Sequence, residues 1–196
     1  MRSGARRIRR LEEDAVTSIP TPVNQGIQIR DARGEELDEV SALLQAANME
    51  YQSYYAPDRW QNRLKRLADV WIDREVSELI VAVQNGRVAG AVSFFPDGSL
   101  SKQGKWPAAA AGILRLGVHP DYRGHGIGRA LTLECIRRAR KRGIATLALH
   151  TQERMKVAVG MYERLGFVRD TSLDMFRAET NEFIAMGYTL SLNKQD

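Results

Sequence analysis

The feature that most constrains this chain is a glycine-rich turn between a strand pattern and a helix pattern. An apolar strand is predicted over Ala111 to Val118, where His119-Pro120 ends it, and a helix over about Gly128 to Arg142. The first N–H groups of a helix lack partners inside it, and glycine lets an anion approach the main chain. The sequence therefore predicts a phosphate-binding turn. Its residues are Arg123, Gly124, His125, Gly126, Ile127, Gly128 and Arg129.

Two common phosphate-binding loops do not match this turn. A Walker loop requires Gly-Lys-Ser/Thr, whereas this turn ends in Gly128-Arg129-Ala130. The dinucleotide fingerprint G-x-G-x-x-G/A requires a small third residue, but the reading from Gly124 meets Arg129 and the reading from Gly126 meets Leu131. That fingerprint also belongs to the first strand–helix unit of its domain, and here four predicted strands come first. Nicotinamide binding is therefore not expected.

The segment before the turn predicts strands and helices in alternation. A first strand is predicted at Ile27-Gln-Ile29-Arg30, and a first helix over Glu35 to Tyr51. A second helical pattern aligns Leu64, Leu67 and Ala68 with Trp71. The pair Asn85-Gly86 predicts a type I′ hairpin turn. The two runs that it joins are Ser77 to Gln84 and Arg87 to Phe95.

The segment after the turn predicts a strand over Thr146 to Thr151, a helix from about Met155 to Leu165, and two final strands near Phe167 to Phe176 and Phe183 to Leu192. Strands adjacent to helices indicate an α/β domain, and the hairpin and the final strand pair require antiparallel edges. We therefore predict a mixed, largely antiparallel sheet flanked by helices.

Length and composition limit the remaining possibilities. The 196 residues suit one domain over residues 27–196, preceded by a flexible basic tail over residues 1–26. The tail lacks interleaved aromatic residues and a recognition motif, so nucleic-acid binding is not expected. No apolar run approaches the length of a membrane span. The single Cys135 cannot form an intramolecular disulfide, which favours a reducing compartment and a cytoplasmic location.

The spacing Arg123-x-x-Gly126-x-Gly128 resembles the acetyl-CoA signature Q/R-x-x-G-x-G/A of the GCN5-related N-acetyltransferases, the GNAT family. The resemblance extends to Leu116-Gly-Val118-His-Pro-Asp-Tyr before the turn. It continues in Ala158-x-x-Met161-Tyr162-Glu163-Arg164-Leu165-Gly166-Phe167 after it. The order of the predicted elements also matches this family from about Ile27 to Leu192.

The resemblance implies a GNAT fold with a splayed central strand pair and a site for acetyl-CoA. The pantetheine arm would enter between the two strands and bond to the main chain at Leu116 and Val118. The amides from Gly124 to Arg129 would hold the pyrophosphate, with the side chains of Arg123 and Arg129 either adding charge or lying on the surface. The Val118 N–H would stabilise the oxyanion, and Tyr162 would act as general acid.

Two departures from the family pattern bear on these roles. Met155 stands where relatives often carry Asn, and the strand from Ala111 to Val118 contains no Glu or Asp to act as base. Water-mediated loss of the amine proton is therefore expected, although five acids in or near the first two helices are alternatives. They are Glu50, Asp58, Asp69, Asp73 and Glu75.

The acceptor is predicted to be a small-molecule or peptide amine. The segment between the first two helices offers Tyr51, Tyr54, Tyr55 and Trp60 with Glu50 and Asp58, a combination that suits a cationic amine unless the rings simply pack the helices. His150 has two readings, a proton relay or a packed histidine. Cys135 is predicted in the core, and no metal-ligand spacing is present.

The sequence thus favours an acetyl-CoA-dependent N-acetyltransferase with direct transfer in a ternary complex. The alternative is a non-catalytic acyl-CoA-binding module with a regulatory or interaction role, which Met155 and the missing strand carboxylate keep open. Homodimerisation also stays open.

Overall fold

A computed structural model describes residues 26–107, 109–176 and 183–193. Its strands are β1 (Ile27–Asp31), β2 (Glu78–Gln84), β3 (Arg87–Phe95), β4 (Ala111–Val118), β5 (Thr146–Thr151), β6 (Val168–Arg169), β7 (Met175–Phe176) and β8 (Phe183–Ser191). Its α-helices are α1 (Leu37–Ala46), α2 (Pro57–Ala68), α3 (Ile127–Lys141) and α4 (Lys156–Arg164). The predicted tail, residues 1–26, lies outside the described residues except for Gly26.

The strands form one mixed sheet in the order β1-β2-β3-β4-β5-β8-β6, with β7 paired to β8. The β4–β5 pair is parallel, and the other neighbouring pairs are antiparallel. Because a parallel pair needs a crossover, α3 connects β4 to β5 across one face. The predicted mixed, largely antiparallel sheet is confirmed.

Helices cover both faces of the sheet, and each face has its own apolar cluster. Leu131 and Cys135 of α3 and Tyr162 of α4 belong to one cluster with residues of the central strands. Leu44 of α1 and Leu67 of α2 belong to the other. The prediction that Cys135 lies in the core is confirmed, because its side chain is fully buried. Two separate cores therefore fix the sheet between two helical layers.

The predicted hairpin is confirmed in its turn geometry. Asn85 and Gly86 have φ angles of +52° and +76°, so both central residues adopt the left-handed region that a type I′ turn requires. The strands that they join pair antiparallel from Gln84 with Arg87 onward.

Three predicted elements differ from the structure. The first helix ends at Ala46 rather than Tyr51, because the Asn48 side chain donates to the Leu44 carbonyl at 2.8 Å and a 3₁₀ segment follows over Met49–Tyr54. The second helix ends at Ala68, so Trp71 lies beyond it and is 46% exposed. The strand predicted over Phe167 to Phe176 is interrupted because the Asp170 carboxylate accepts from the Ser172 N–H and forms a turn.

The hairpin turn allows a stability test. We expect Gly86→Ala to lower the free energy of unfolding by about 1–2 kcal/mol, because a Cβ is strained at positive φ. Urea denaturation would measure the change. Gly34→Ala is the matched control, since Gly34 has no positive φ and a Cβ there meets nothing within 4 Å. Equal midpoints for the two variants would contradict the assigned turn.

Candidate active site

A gap opens in the middle of the sheet where β4 and β5 separate. Their parallel pairing runs from Ala111 with Leu147 to Ile113 with Leu149, and both strands then continue unpaired with each other. The cause lies in β4, where Arg115 and Leu116 together oppose the single residue Val92 of β3, and Arg115 has a φ of +53°. Such a bulge bends its strand. The predicted splayed strand pair is confirmed.

The main chain of β4 beyond the bulge faces this gap. The His119 N–H donates to the Ala89 carbonyl of β3 at 3.0 Å. Because successive residues of a strand alternate their bonding direction, the N–H of Val118 points away from β3 and toward the gap. Leu116, the other predicted residue, belongs to the bulge itself, where this alternation is interrupted.

The glycine-rich turn follows β4 after a 3₁₀ segment over Pro120–Tyr122, and it opens α3. Gly124 and Gly126 have φ angles of +81° and +74°, which side-chain-bearing residues rarely adopt. Gly126 caps the helix, and its carbonyl accepts from the Ala130 N–H at 2.9 Å. Within the described part of the chain, the N–H groups of Ile127, Gly128 and Arg129 have no hydrogen-bond partner and no side chain caps them. Such amides, together with the positive end of a helix dipole, suit an anion.

The side chains of the turn are less suited to contact an anion than its amides are. The Arg123 guanidinium donates to the Ala47 carbonyl and pairs with Glu50, both at 3.0 Å, so it is directed toward the end of α1. The His125 ring lies 3.3 Å from the Tyr122 carbonyl. Arg129, in the first turn of α3, is half-buried. Of the two arginines considered at the sequence level, Arg123 is thus engaged at the end of α1.

Tyr162 lies on α4 and packs edge-on against Phe167, with ring centroids 5.6 Å apart. Only 5% of the residue is exposed, and burial raises the pKa of its phenol well above the usual value. The hydroxyl therefore keeps its proton at neutral pH. Among the residues that the structure describes, it has no hydrogen-bond partner. Met155 precedes α4, and its Sδ lies 3.9 Å from the Thr151 hydroxyl.

Two of the acids predicted as alternative bases are held by arginines. Asp73 and Arg115 form an ion pair at 3.1 Å whose side chains are only 5% and 4% exposed. The same guanidinium donates to the Arg66 carbonyl at 3.3 Å, and Gln103 approaches the Asp73 carboxylate at 3.4 Å. Glu50 is the partner of Arg123. Both carboxylates thus have an arginine as their partner.

Arginines lie against two rings of the aromatic segment before α2. The guanidiniums of Arg63 and Arg154 lie 5.4 and 4.8 Å from the centre of the Tyr55 ring, and Arg154 also lies 5.1 Å from that of Tyr54. Burial lowers the pKa of Arg63.

The other two aromatic residues differ in their surroundings. The Tyr51 side chain is hydrogen-bonded to Glu50, one of the acids that the sequence analysis named beside it. Trp60 is 3% exposed and packs in the interior. The segment thus combines an aromatic–acid pair with rings that carry cations.

Sequence reasoning missed Arg63 and Arg154 because they come from α2 and from the segment after β5. No local pattern indicates that two residues so far apart in the sequence contact the same tyrosine ring.

His150 is tied to its surroundings through one ring nitrogen. Its Nε2 donates to the Leu173 carbonyl at 2.8 Å, and its ring stacks on Trp106 with centroids 6.0 Å apart. Burial lowers the pKa of the imidazole, so it is neutral near pH 7. The Nδ1 atom is buried, with no partner in the described ranges. The structure therefore favours the packed histidine over the relay.

The described residues contain neither a membrane-spanning helix nor a cluster of metal ligands. None of their helices combines the length and apolar character that crossing a membrane requires. No group of three or more His, Cys, Asp or Glu side chains within them could hold a metal ion.

Comparison with known proteins identifies the family. The sequence profile of the acetyltransferase (GNAT) family matches residues 40–167, which is more than half of the chain. The chain therefore belongs to this family.

Two curated relatives are mycothiol acetyltransferases. The one from Streptomyces coelicolor is 43% identical over 65 residues, covering 33% of this chain and 21% of the relative. The one from Thermobispora bispora is 27% identical over 175 residues, covering 88% of this chain and 57% of the relative. The chain thus spans less than two thirds of the length of either relative.

Solved structures show the same fold. The PaiA N-acetyltransferase from Thermoplasma acidophilum, in complex with coenzyme A, superposes with a TM-score of 0.63 at 18% identity. The match covers 83% of this chain and 98% of that one. The GNAT fold implied by the sequence resemblance is confirmed.

The two carboxylates held by arginines should differ in their effect on stability. We expect Asp73→Asn to lower the free energy of unfolding by about 3 kcal/mol or more, because it leaves the buried Arg115 charge unpaired. Glu50→Gln should cost less than about 1 kcal/mol, since its ion pair is exposed to water. Urea denaturation of both variants would measure the difference. Similar losses would contradict the burial assigned to the Asp73–Arg115 pair.

Proposed function

We propose that this protein is an acetyl-CoA-dependent N-acetyltransferase that transfers the acetyl group directly to an amine in a ternary complex. The observation that carries the proposal is the gap between β4 and β5, which the Val118 N–H faces. The partner-free amides at the start of α3 lie at the end of the same strand. Membership of the GNAT family supports the activity, as do the names of the mycothiol acetyltransferase relatives.

The residues present fit acetyl-CoA as the acyl donor. The amides from Gly124 to Arg129 would hold the pyrophosphate, because they combine glycine access with the positive end of the α3 dipole. The main chain at Leu116 and Val118 would bond to the pantetheine arm as a strand edge bonds to an added strand. Coenzyme A in the PaiA structure supports this choice of donor. Acetyl-CoA supplies the acyl group as a thioester.

The chain's own groups would act at two atoms of the reacting centre. As the amine nitrogen bonds to the acyl carbon, negative charge develops on the former carbonyl oxygen, and the Val118 N–H would donate to it. When the carbon–sulfur bond breaks, the Tyr162 hydroxyl would give its proton to the sulfur. The raised pKa of Tyr162 supports this role, since an acid must hold its proton before the step.

The amine must also lose a proton. Asp73 and Glu50 pair with Arg115 and Arg123, and the Nδ1 atom of His150 is buried. The other three acids named as alternatives, Asp58, Asp69 and Glu75, are exposed to solvent. Transfer to water is therefore the route that we propose. This route predicts a rate that rises with pH as more of the acceptor is neutral.

One observation favours the second candidate, a non-catalytic acyl-CoA-binding module. The Tyr162 side chain is 5% exposed and packed against Phe167, as a structural tyrosine would be. Met155 also offers a thioether where many relatives offer an amide. A protein that binds acetyl-CoA tightly but releases no CoA with any amine would support this candidate over the enzyme.

The pyrophosphate site is tested by Gly126→Asp. The carboxylate would stand at the start of α3 and repel the diphosphate, so we expect acetyl-CoA binding to be lost in calorimetric titration. Gly143→Asp is the matched control, because Gly143 also has a positive φ, +67°, but follows the other end of α3. Unchanged affinity in a folded Gly126→Asp protein would refute the site.

The proposed general-acid role of Tyr162 is tested by Tyr162→Phe, which removes the hydroxyl and keeps the ring in its core position. We expect kcat to fall by about 10²-fold or more, the usual contribution of general acid–base catalysis. The dissociation constant for acetyl-CoA should stay the same. Tyr188→Phe is the control, since Tyr188 is also buried but its hydroxyl bonds to Glu163 at 3.2 Å. Full activity of the Tyr162 variant would eliminate the role.

A further inference from the structure

Two guanidiniums converge on one tyrosine ring at the end of β5. Arg63 comes from α2 and lies 5.4 Å from the Tyr55 ring centre, and Arg154 comes from the segment between β5 and α4 and lies 4.8 Å from it. The Tyr55 hydroxyl donates to the Gln152 side-chain oxygen at 2.9 Å, and the Arg154 Nε donates to the same oxygen at 3.2 Å. One neutral amide therefore joins Tyr55 and Arg154.

Neither guanidinium has a carboxylate partner within the described ranges. Arg63 donates to the neutral side chain of Asn48 at 2.6 Å, and its buried Nε has no partner there. Arg138 shows how the same chain treats another buried arginine, since it is paired with Asp31, Glu78 and Glu134. Two like charges that share a ring repel each other and are costly to desolvate without a counter-charge. The pair thus has the properties of a site that receives an anion.

The cluster lies at the gap on the side of α2. Gln152 directly follows Thr151, the last residue of β5, and its amide nitrogen donates to the Ile184 carbonyl of β8 at 2.9 Å. The glycine-rich turn follows the end of β4, the parallel neighbour of β5, so both features lie at the same edge of the sheet. The turn continues into α3, which packs on the opposite face from α2. Arg63 therefore belongs to a helix on the opposite face of the sheet from the helix whose amides fit the pyrophosphate.

We propose that Arg63 and Arg154 form an anion subsite of the acceptor site, so that the acceptor carries a carboxylate or phosphate group besides its amine. This inference rests on the function proposed above. Planar guanidiniums bind both groups through paired N–H donors. The contacts with Asn48 and Gln152 use one N–H group of each guanidinium, so further N–H groups of both are available to a ligand.

Matched acceptors test the inference on the wild-type protein. Glycine is compared with glycinamide, and phosphoethanolamine with ethanolamine, by CoA release in the presence of acetyl-CoA. We expect kcat/KM, calculated per concentration of neutral amine because the paired amines differ in basicity, to be at least about tenfold higher for the charged member of one pair, the effect of a charge-assisted bond. The pair that shows it distinguishes carboxylate from phosphate. Equal or reversed preference in both pairs overturns the inference while the enzymatic function stands.

A binding measurement keeps the test decisive if no acceptor is turned over. Two pairs of acetylated compounds are titrated into the protein with CoA present. The first pair is N-acetylglycine and N-acetylglycinamide, and the second is N-acetylphosphoethanolamine and N-acetylethanolamine. Preferential binding of a charged member supports the subsite even where the proposed catalysis fails. Absence of any preference overturns the subsite.

Variants then assign the effect to the two arginines. We expect Arg154→Gln and Arg63→Lys to raise KM or the dissociation constant for the charged probe about tenfold, with little effect on its neutral counterpart or on acetyl-CoA. Arg154→Lys should restore part of the loss. Lys65→Gln is the matched control, because it removes one positive charge from an exposed position of α2.

Two outcomes with the variants would contradict the assignment. A loss in Lys65→Gln as large as that in Arg154→Gln would indicate a general charge effect. A weaker acetyl-CoA affinity in Arg154→Gln would place the guanidinium on the donor. Because Arg63 is partly buried, thermal melting must show that the Arg63→Lys variant is folded. If this variant is unfolded, the Arg154→Gln variant alone decides the test.

Discussion

The separation of β4 from β5 is the constraint on which the rest of the site depends. One extra residue in β4 ends the parallel pairing at Ile113 and turns the Val118 N–H toward the gap. Arg115 takes a left-handed conformation at this point, which a side-chain-bearing residue adopts only at a cost. The buried pair with Asp73 and the bond to the Arg66 carbonyl hold that residue in place. Side chains outside the sheet therefore stabilise the distortion that opens it.

The two sides of the gap offer different kinds of positive charge. On the α3 side, three main-chain amides and a helix dipole supply partial charges that are fixed in position by the turn. On the α2 side, Arg63 and Arg154 supply full charges on side chains, held by the Tyr55 ring and by neutral amides. Fixed amides suit a constant ligand such as a diphosphate, whereas side chains can differ between related proteins that accept different amines. This division is consistent with a common donor and a particular acceptor.

Local patterns predicted the parts of the structure that depend on neighbouring residues. The Asn85-Gly86 turn, the bounds of β4 and β5 and the glycine turn needed only short-range rules of conformation. The long-range side-chain contacts around the gap were not predictable in this way. Asp73 meets Arg115, and Arg63 meets Arg154 on Tyr55, across long separations in sequence. Likewise, the first helix was predicted too long because apolar spacing does not reveal that Asn48 bonds to the Leu44 carbonyl.

The burial of Tyr162 has two opposing effects on the proposed acid. A raised pKa keeps the phenol protonated, but it also makes the phenol a weaker donor in water. A thiolate that left beside it in the proposed reaction would be raised in energy by the same burial, so the proton affinity of the sulfur would rise as well. The proposed proton transfer would therefore depend on the difference between two groups that burial affects in the same direction. Packing against Phe167 would then hold the phenol in position for this transfer.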